Sequence, residues 1–195
     1  NTIEQDISFA SQWQLMWVRF RRHKLALVGG IILLLLYTIA GFCEFISPYL
    51  PDQRNANYVL SPPQEVRFFD SEGTFHLRPF VYELIEDKSA GEWERAYTED
   101  MKTKHPLFIF ARGPSYRMWG IFETNVHLFG TQSKAPLFLF GTDDLGRDLF
   151  TRICYGARIS LTIGLIGVAL TFFIGILFGG IAGYYSGWLD VIIQR

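Results

Sequence analysis

Two runs without a charged residue dominate the pattern of apolar and polar positions, Leu25 to Cys43 and Ile159 to Leu189. A bilayer core about 30 Å thick takes about 20 helical residues at about 1.5 Å each. The first run just reaches that length. The second exceeds it, with room for tilt or an interfacial end. A helix buried in a soluble protein is the plain alternative, but Ile31 to Leu36 offers no polar face to water. Both runs are therefore read as membrane spans.

Upstream of the first run, Phe9, Trp13, Met16, Trp17 and Phe20 recur at helical spacing and predict an amphipathic interfacial helix. Arg19, Arg21, Arg22 and Lys24 follow and put this end in the cytoplasm by the positive-inside rule. Pro48 and Pro51 end the first helix and start an extended stretch. Val66 to Phe69, a turn at Asp70 to Gly73, and Thr74 to Val81 read as a β-hairpin. Glu83 to Lys104 is polar and helix-prone, with Gly91 as a break. Leu107 to Ala111 reads as a strand closed by Arg112-Gly113-Pro114, with further strands at Tyr116 to Phe122 and Leu137 to Phe140. Thr142 is placed to cap a helix whose start Asp143 and Asp144 favour. Leu145, Leu149, Ile153 and Ala157 follow at four-residue intervals.

The organisation expected is a cytoplasmic amphipathic segment at 1–24, a span at 25–46 and an extracytoplasmic insert at 47–140. An interfacial helix at 141–158, a second span at 159–187 and the start of a third helix at 188–195 complete it. The fold class is a mainly α membrane protein with a small β-rich α+β insert. The chain begins with Asn and stops in what reads as another helix, so a piece of a longer protein is expected.

The formal net charge of −1 argues against nucleic acid as a partner, which needs a strongly basic face. A signal peptide is excluded by the length of the first apolar run and by Glu44 and Phe45 after it. A lipoprotein signal is excluded by Phe42 before Cys43. Cys43 and Cys154 lie near the outer ends of the two runs. A disulfide is conceivable there, and two apolar packing residues are the simpler reading. Arg147, Arg152 and Arg158 precede the second span and on their own favour the opposite orientation. Charges in a long translocated segment count little, however.

The second run carries Gly175, Gly179, Gly183 and Gly187 at four-residue spacing, a groove that lets another helix approach closely. Such a face predicts a place inside a helix bundle. The stretch Gly141-Thr142-Asp143-Asp144-Leu145-Gly146-Arg147-Asp148 is the most distinctive in the chain. Its acids and arginines, with Arg152, Gly156 and Arg158 downstream, suggest capped amides and ion pairs that fix a helix against a neighbouring loop. Catalysis by the paired Asp residues lacks an accompanying base, nucleophile or metal-ligand set. His76, His105 and His127 match no compact metal spacing. Glu44 reads as interfacial rather than as a proton relay. Phe108, Phe110, Phe138 and Phe140 alternate with aliphatic residues, as core strands do.

The run from Gly141 to Leu161 closely resembles the C-type permease subunits of dipeptide, oligopeptide and nickel ABC importers. Phe20 to Gly29, Ile46-Ser47-Pro48-Tyr49 and Gly183 to Asp190 resemble the same family, in the same order. The resemblance implies a type I ABC importer permease fold in a bacterial inner membrane. It also implies a second permease subunit, two ATPase subunits, an extracytoplasmic substrate-binding protein and surrounding lipid as partners. Peptides lead as the substrate class. Residues Asp52 to Phe140 depart from the family's short link and make an extra extracytoplasmic domain, to dock the substrate-binding protein or to brace the outer face. No Gly-x-x-x-x-Gly-Lys-Ser/Thr loop appears, so ATP hydrolysis is not assigned to this chain; no cofactor or metal is assigned to it either. The rival reading is a two-span receptor whose insert is a sensor domain, and a plain membrane anchor is a third.

Overall fold

The computed structural model describes residues 11–87, 95–132 and 135–185. Phe9, Gly91, Gly187 and the expected third helix at 188–195 lie outside them. Its helices are α1 (Gln12–Arg22), α2 (Lys24–Gly41), α3 (Cys43–Ile46) and α4 (Leu149–Tyr185). Its strands are β1 (Arg67–Phe69), β2 (Phe75–Asp87), β3 (Ala96–Met118) and β4 (Phe122–Thr131).

Helix α1 opens where Gln14 Oε1 accepts the Ser11 amide at 2.9 Å. Helical geometry breaks at His23, whose Nδ1 then accepts the Ala26 amide at 3.1 Å and starts α2. The Phe20 ring lies over Gly30, where an added Cβ would come within 3.1 Å of it, so the glycine lets α1 fold against α2. Helix α2 has 18 residues and α4 has 37, and both are long and apolar enough to cross a membrane. They pack on one another. Most of their large side chains remain exposed, which hydrocarbon or further helices tolerate and water does not.

Between them lies an antiparallel sheet in the order β1-β2-β3-β4. Strand β3 serves two neighbours. Its first half pairs with β2, from Ala96↔Asp87 to Pro106↔Phe80. Its second half pairs with β4, from Leu107↔Thr131 to Met118↔Phe122. The core joins Phe80, Val81, Tyr82 and Leu84 of β2 to Ala111 and Tyr116 of β3. Leu137 and Phe138 join it from an irregular segment. The Phe138 ring sits 5.8 Å from the Tyr49 ring and 5.4 Å from that of Tyr58. Gln64 holds this segment to the sheet. Its side chain donates to the Tyr82 carbonyl at 3.2 Å and accepts the Phe138 amide at 2.7 Å.

The hairpin expected around Asp70 to Gly73 is present as β1 and β2. Four other expectations are corrected. The described parts of the helix-prone stretch Glu83 to Lys104 supply the end of β2 and the start of β3 instead, because their cross-strand partners override intrinsic propensity. Arg112-Gly113-Pro114 does not end a strand. Strand β3 passes through it with a register shift between Arg112 and Tyr116, which is how a ladder accommodates a proline without an N–H. Leu137 to Phe140 is not a strand, since the Phe138 backbone pairs with Gln64 rather than with a ladder. The described insert is thus all β rather than α+β. Of the four alternating phenylalanines, only Phe138 is fully buried, and Phe110 is 63% exposed.

Phe138→Ala is therefore expected to destabilise the sheet region by about 3–5 kcal/mol, as loss of a filled core ring does. Phe110→Ala should cost far less. Denaturant unfolding followed by protease resistance of the region compares the two.

Candidate functional site: the junction of the two apolar helices

The distinctive motif folds as a tight loop before α4. Gly141 (φ +77) and Gly146 (φ +70) stand in the left-handed region. A Cβ at either would collide with the backbone carbonyl of Ser61 or of Asn55, so side chains are excluded twice over. Asp143 gathers the loop. Its Oδ1 accepts the Leu145 and Arg147 amides, both at 2.9 Å. Its Oδ2 accepts Arg147 Nε at 2.8 Å and the Arg152 guanidinium. Partial burial works to raise this carboxyl, but these donors outweigh it and hold it at about 2.

Thr142 does not cap a helix. Its hydroxyl accepts the Ser61 amide at 2.9 Å and donates to the Tyr58 carbonyl. It fastens the loop to the link that follows α3. The cap belongs to Asp148, whose Oδ2 accepts the Thr151 amide at 2.8 Å and the Thr151 hydroxyl at 2.6 Å. Burial pushes the Asp148 carboxyl up, against the pull of those two donors and the Phe150 amide. The expected interfacial helix and second span are one helix, starting at Leu149, with no proline to interrupt it.

Further along α4, Arg158 makes the ionic contact of the junction. Its guanidinium pairs with Glu44 of α3 and donates to Cys43 Sγ at 3.4 Å. Glu44 is only 8% exposed, and its second carboxylate oxygen has no protein partner among the described residues. Cys43 and Cys154 are both free and buried. His127 ties the sheet to the same place, its ring nitrogens 2.5 Å from the Ser47 carbonyl oxygen and 2.9 Å from that of Pro114. Gly113 leaves room for that ring, since a Cβ there would lie 2.7 Å from His127 Cδ2.

The structure thus brings together Gly141, Thr142, Asp143, Gly146, Arg147, Asp148 and Arg152 in the loop and its cap. Arg158 joins Glu44 instead, and an added Cβ at Gly156 would meet nothing within 4 Å. Sequence reasoning missed the Glu44–Arg158 pair, although each stands alone at the edge of a charge-free run. Gly175, Gly179 and Gly183 face open space. The three histidines do not converge: His76 lies on Asp70 at 3.0 Å and His105 near Glu83 at 3.5 Å. A cleft of about 440 Å³ beside the junction is lined by Tyr49, Gln53, Asn55, Tyr58, Arg112 and His127 among others, and no carboxylate of the motif reaches it. The arrangement suits holding two helix ends and a sheet in fixed register, not bond-making chemistry.

The two apolar helices and the sheet region between them describe a membrane protein. Residues 11–63 match the family model described as the N-terminal TM domain of oligopeptide transport permease C. The chain is 28% identical over 191 residues to the glutathione transport system permease protein of Pectobacterium atrosepticum, covering 98% of the chain and 40% of that protein. It is 55% identical over 56 residues to the dipeptide transport system permease protein of Bacillus subtilis, covering 29% of the chain and 18% of that protein. With the oligopeptide transport system permease protein of the same organism it shares 50% identity over 89 residues, covering 46% of the chain and 28% of that protein. The chain spans less than half the length of these relatives. No solved structure matches it. The resemblance to C-type permease subunits of ABC importers, read from motifs near both ends, is borne out by these matches.

Arg158→Ala leaves Glu44 buried without its partner. A loss of about 3 kcal/mol is expected, at the low end for broken buried pairs because the Arg158 side chain is 37% exposed. Replacing both residues with neutral ones of similar size should recover most of it, and thermal unfolding in detergent reads the difference. Asp143 has the opposite test, in pH. Its carboxyl sits at about 2 against an ordinary 3.8, so its contribution is complete above about pH 4 and fades as pH falls through about 2. Protection of the Leu145 and Arg147 amides from hydrogen exchange, taken relative to the unstructured rate at each pH, should fall over that window, and Asp143→Asn should abolish that change in protection.

Proposed function

We propose that this chain is part of a permease subunit of an ABC importer and forms part of the transmembrane path for peptides or similar small solutes. Separate ATPase subunits drive it, a second permease subunit completes the path, and an extracytoplasmic binding protein delivers the solute. The observation that carries this reading is the similarity over 98% of the chain to a transport permease, running through the insert as well as both helices. The fold is then the type I importer permease fold, in a bacterial inner membrane, with the amino-terminal end cytoplasmic and the sheet region outside. The basic cluster from Arg19 to Lys24 supports that orientation. In this reading the chain has no catalytic role. It moves solute because ATP binding elsewhere favours one permease state over another. No observation favours the two-span receptor.

The glycine face supports a place in a bundle. An added Cβ at Gly175, Gly179 or Gly183 meets nothing within 4 Å among the described residues. Gly179→Leu therefore has room among them and would clash with a helix packed on that face. In the full-length protein, gentle-detergent purification with mass spectrometry should recover a second permease and ATPase subunits with the wild type. The Gly179→Leu protein should be made and inserted but recover far less of both. Recovery of the wild type alone, or with a kinase, would overturn the importer reading.

A further inference from the structure

The end of α2 carries a contact that the junction does not explain. Trp119 Nε1 donates to the Gly41 carbonyl oxygen at 2.7 Å, and the Trp119 and Phe42 rings lie 5.5 Å apart. Gly41 is the last residue of α2, where helical carbonyls lack intrahelical donors. The 18 residues of α2 rise about 27 Å, slightly less than the roughly 30 Å of hydrocarbon that a span must cross. Gly41 is thus at the edge of the hydrocarbon and not beyond it. An indole bonded to it stands at the same depth.

Trp119 belongs to the tight turn between β3 and β4. Ile121 N donates to the Met118 carbonyl at 3.0 Å, and the two central residues, Trp119 (φ 53) and Gly120 (φ 74), both have positive φ. A bulky residue seldom adopts that conformation, and here it turns the indole toward α2. The turn is apolar and uncovered: Trp119 is 47% exposed, Ile121 73% and Phe122 61%. Behind it the strands become charged at once, with Arg117 opposite Glu123. An apolar tip backed by charge, with tryptophan at the boundary, is how polypeptides sit in a bilayer interface.

We propose that the β3–β4 turn, Trp119 to Phe122, inserts into the lipid leaflet in which α2 ends, so that the sheet region is moored to the membrane beside the span. The proposal rests on α2 being a span. Its occupant is lipid because the exposed tip is continuous, through the exposed Phe42 that follows Gly41, with the exposed apolar flank of α2.

The test uses the full-length protein in lipid nanodiscs, with Ile121→Cys carrying an environment-sensitive fluorophore. Nitroxide-labelled lipids supply quenchers near the headgroup or near the chain end. Leu34→Cys, 72% exposed in mid-α2, reports the span, and exposed Thr98→Cys, at the other end of β3, reports water. The buried Cys43 and Cys154 make the unsubstituted protein the labelling blank. The Ile121 probe should lose most of its emission to the shallow nitroxide, the Leu34 probe to the deep one, and the Thr98 probe to neither. An Ile121 probe no more quenched than Thr98, with Leu34 quenched, overturns the mooring and leaves the span standing. If Leu34 also escapes quenching, the span reading falls with it.

Discussion

Glu44 and Arg158 meet where two apolar helices leave their charge-free runs, and the buried carboxylate depends on the part-exposed guanidinium. A carboxylate only 8% exposed carries a desolvation cost that its partner must offset. The pair fixes the separation and rotation of α3 against α4. Cys43, fully buried, lies against the same guanidinium. The sheet is tied to the same short helix by a separate contact, His127 on the carbonyl of Ser47 that follows α3.

A second constraint is steric. The link after α3 runs against the motif loop so closely that Gly141 and Gly146 can bear no side chain. Backbone hydrogen bonds close the gap, Asn55 N to Gly146 O at 2.9 Å and Thr142 N to Ser61 O at 3.0 Å. Asp143 then freezes the loop from within, and Asp148 starts α4 at its foot. The motif therefore sets where a 37-residue helix begins.

The parts legible in the sequence are those with a local cause. The apolar runs declared α2 and the body of α4, the turn at Asp70 to Gly73 declared a hairpin, and the acids and arginines of the motif declared a network. What escaped depends on partners far along the chain. Nothing near Glu83 to Lys104 says that two strands will pair there rather than coil into helix. Phe138 looks no different from Phe110 until Gln64, Tyr49 and Tyr58 surround it. Thr142 has every local qualification for a cap, but Tyr58 and Ser61 claim its hydroxyl.

The arginines before the second apolar run, taken alone, favour the orientation opposite to the one proposed, and the structure changes what they weigh. Arg147 and Arg152 share the Asp143 carboxylate, and Arg158 has Glu44. Each is committed to a partner at the end of the helix, whereas Arg19, Arg21 and Arg22 form the basic last turn of α1 next to the other helix. The counted bias of short flanking segments still belongs to that amino-terminal cluster, because the arginines of the motif follow a long intervening segment. Their pairing gives them a structural task at the start of α4, so the two clusters do not compete for the same role.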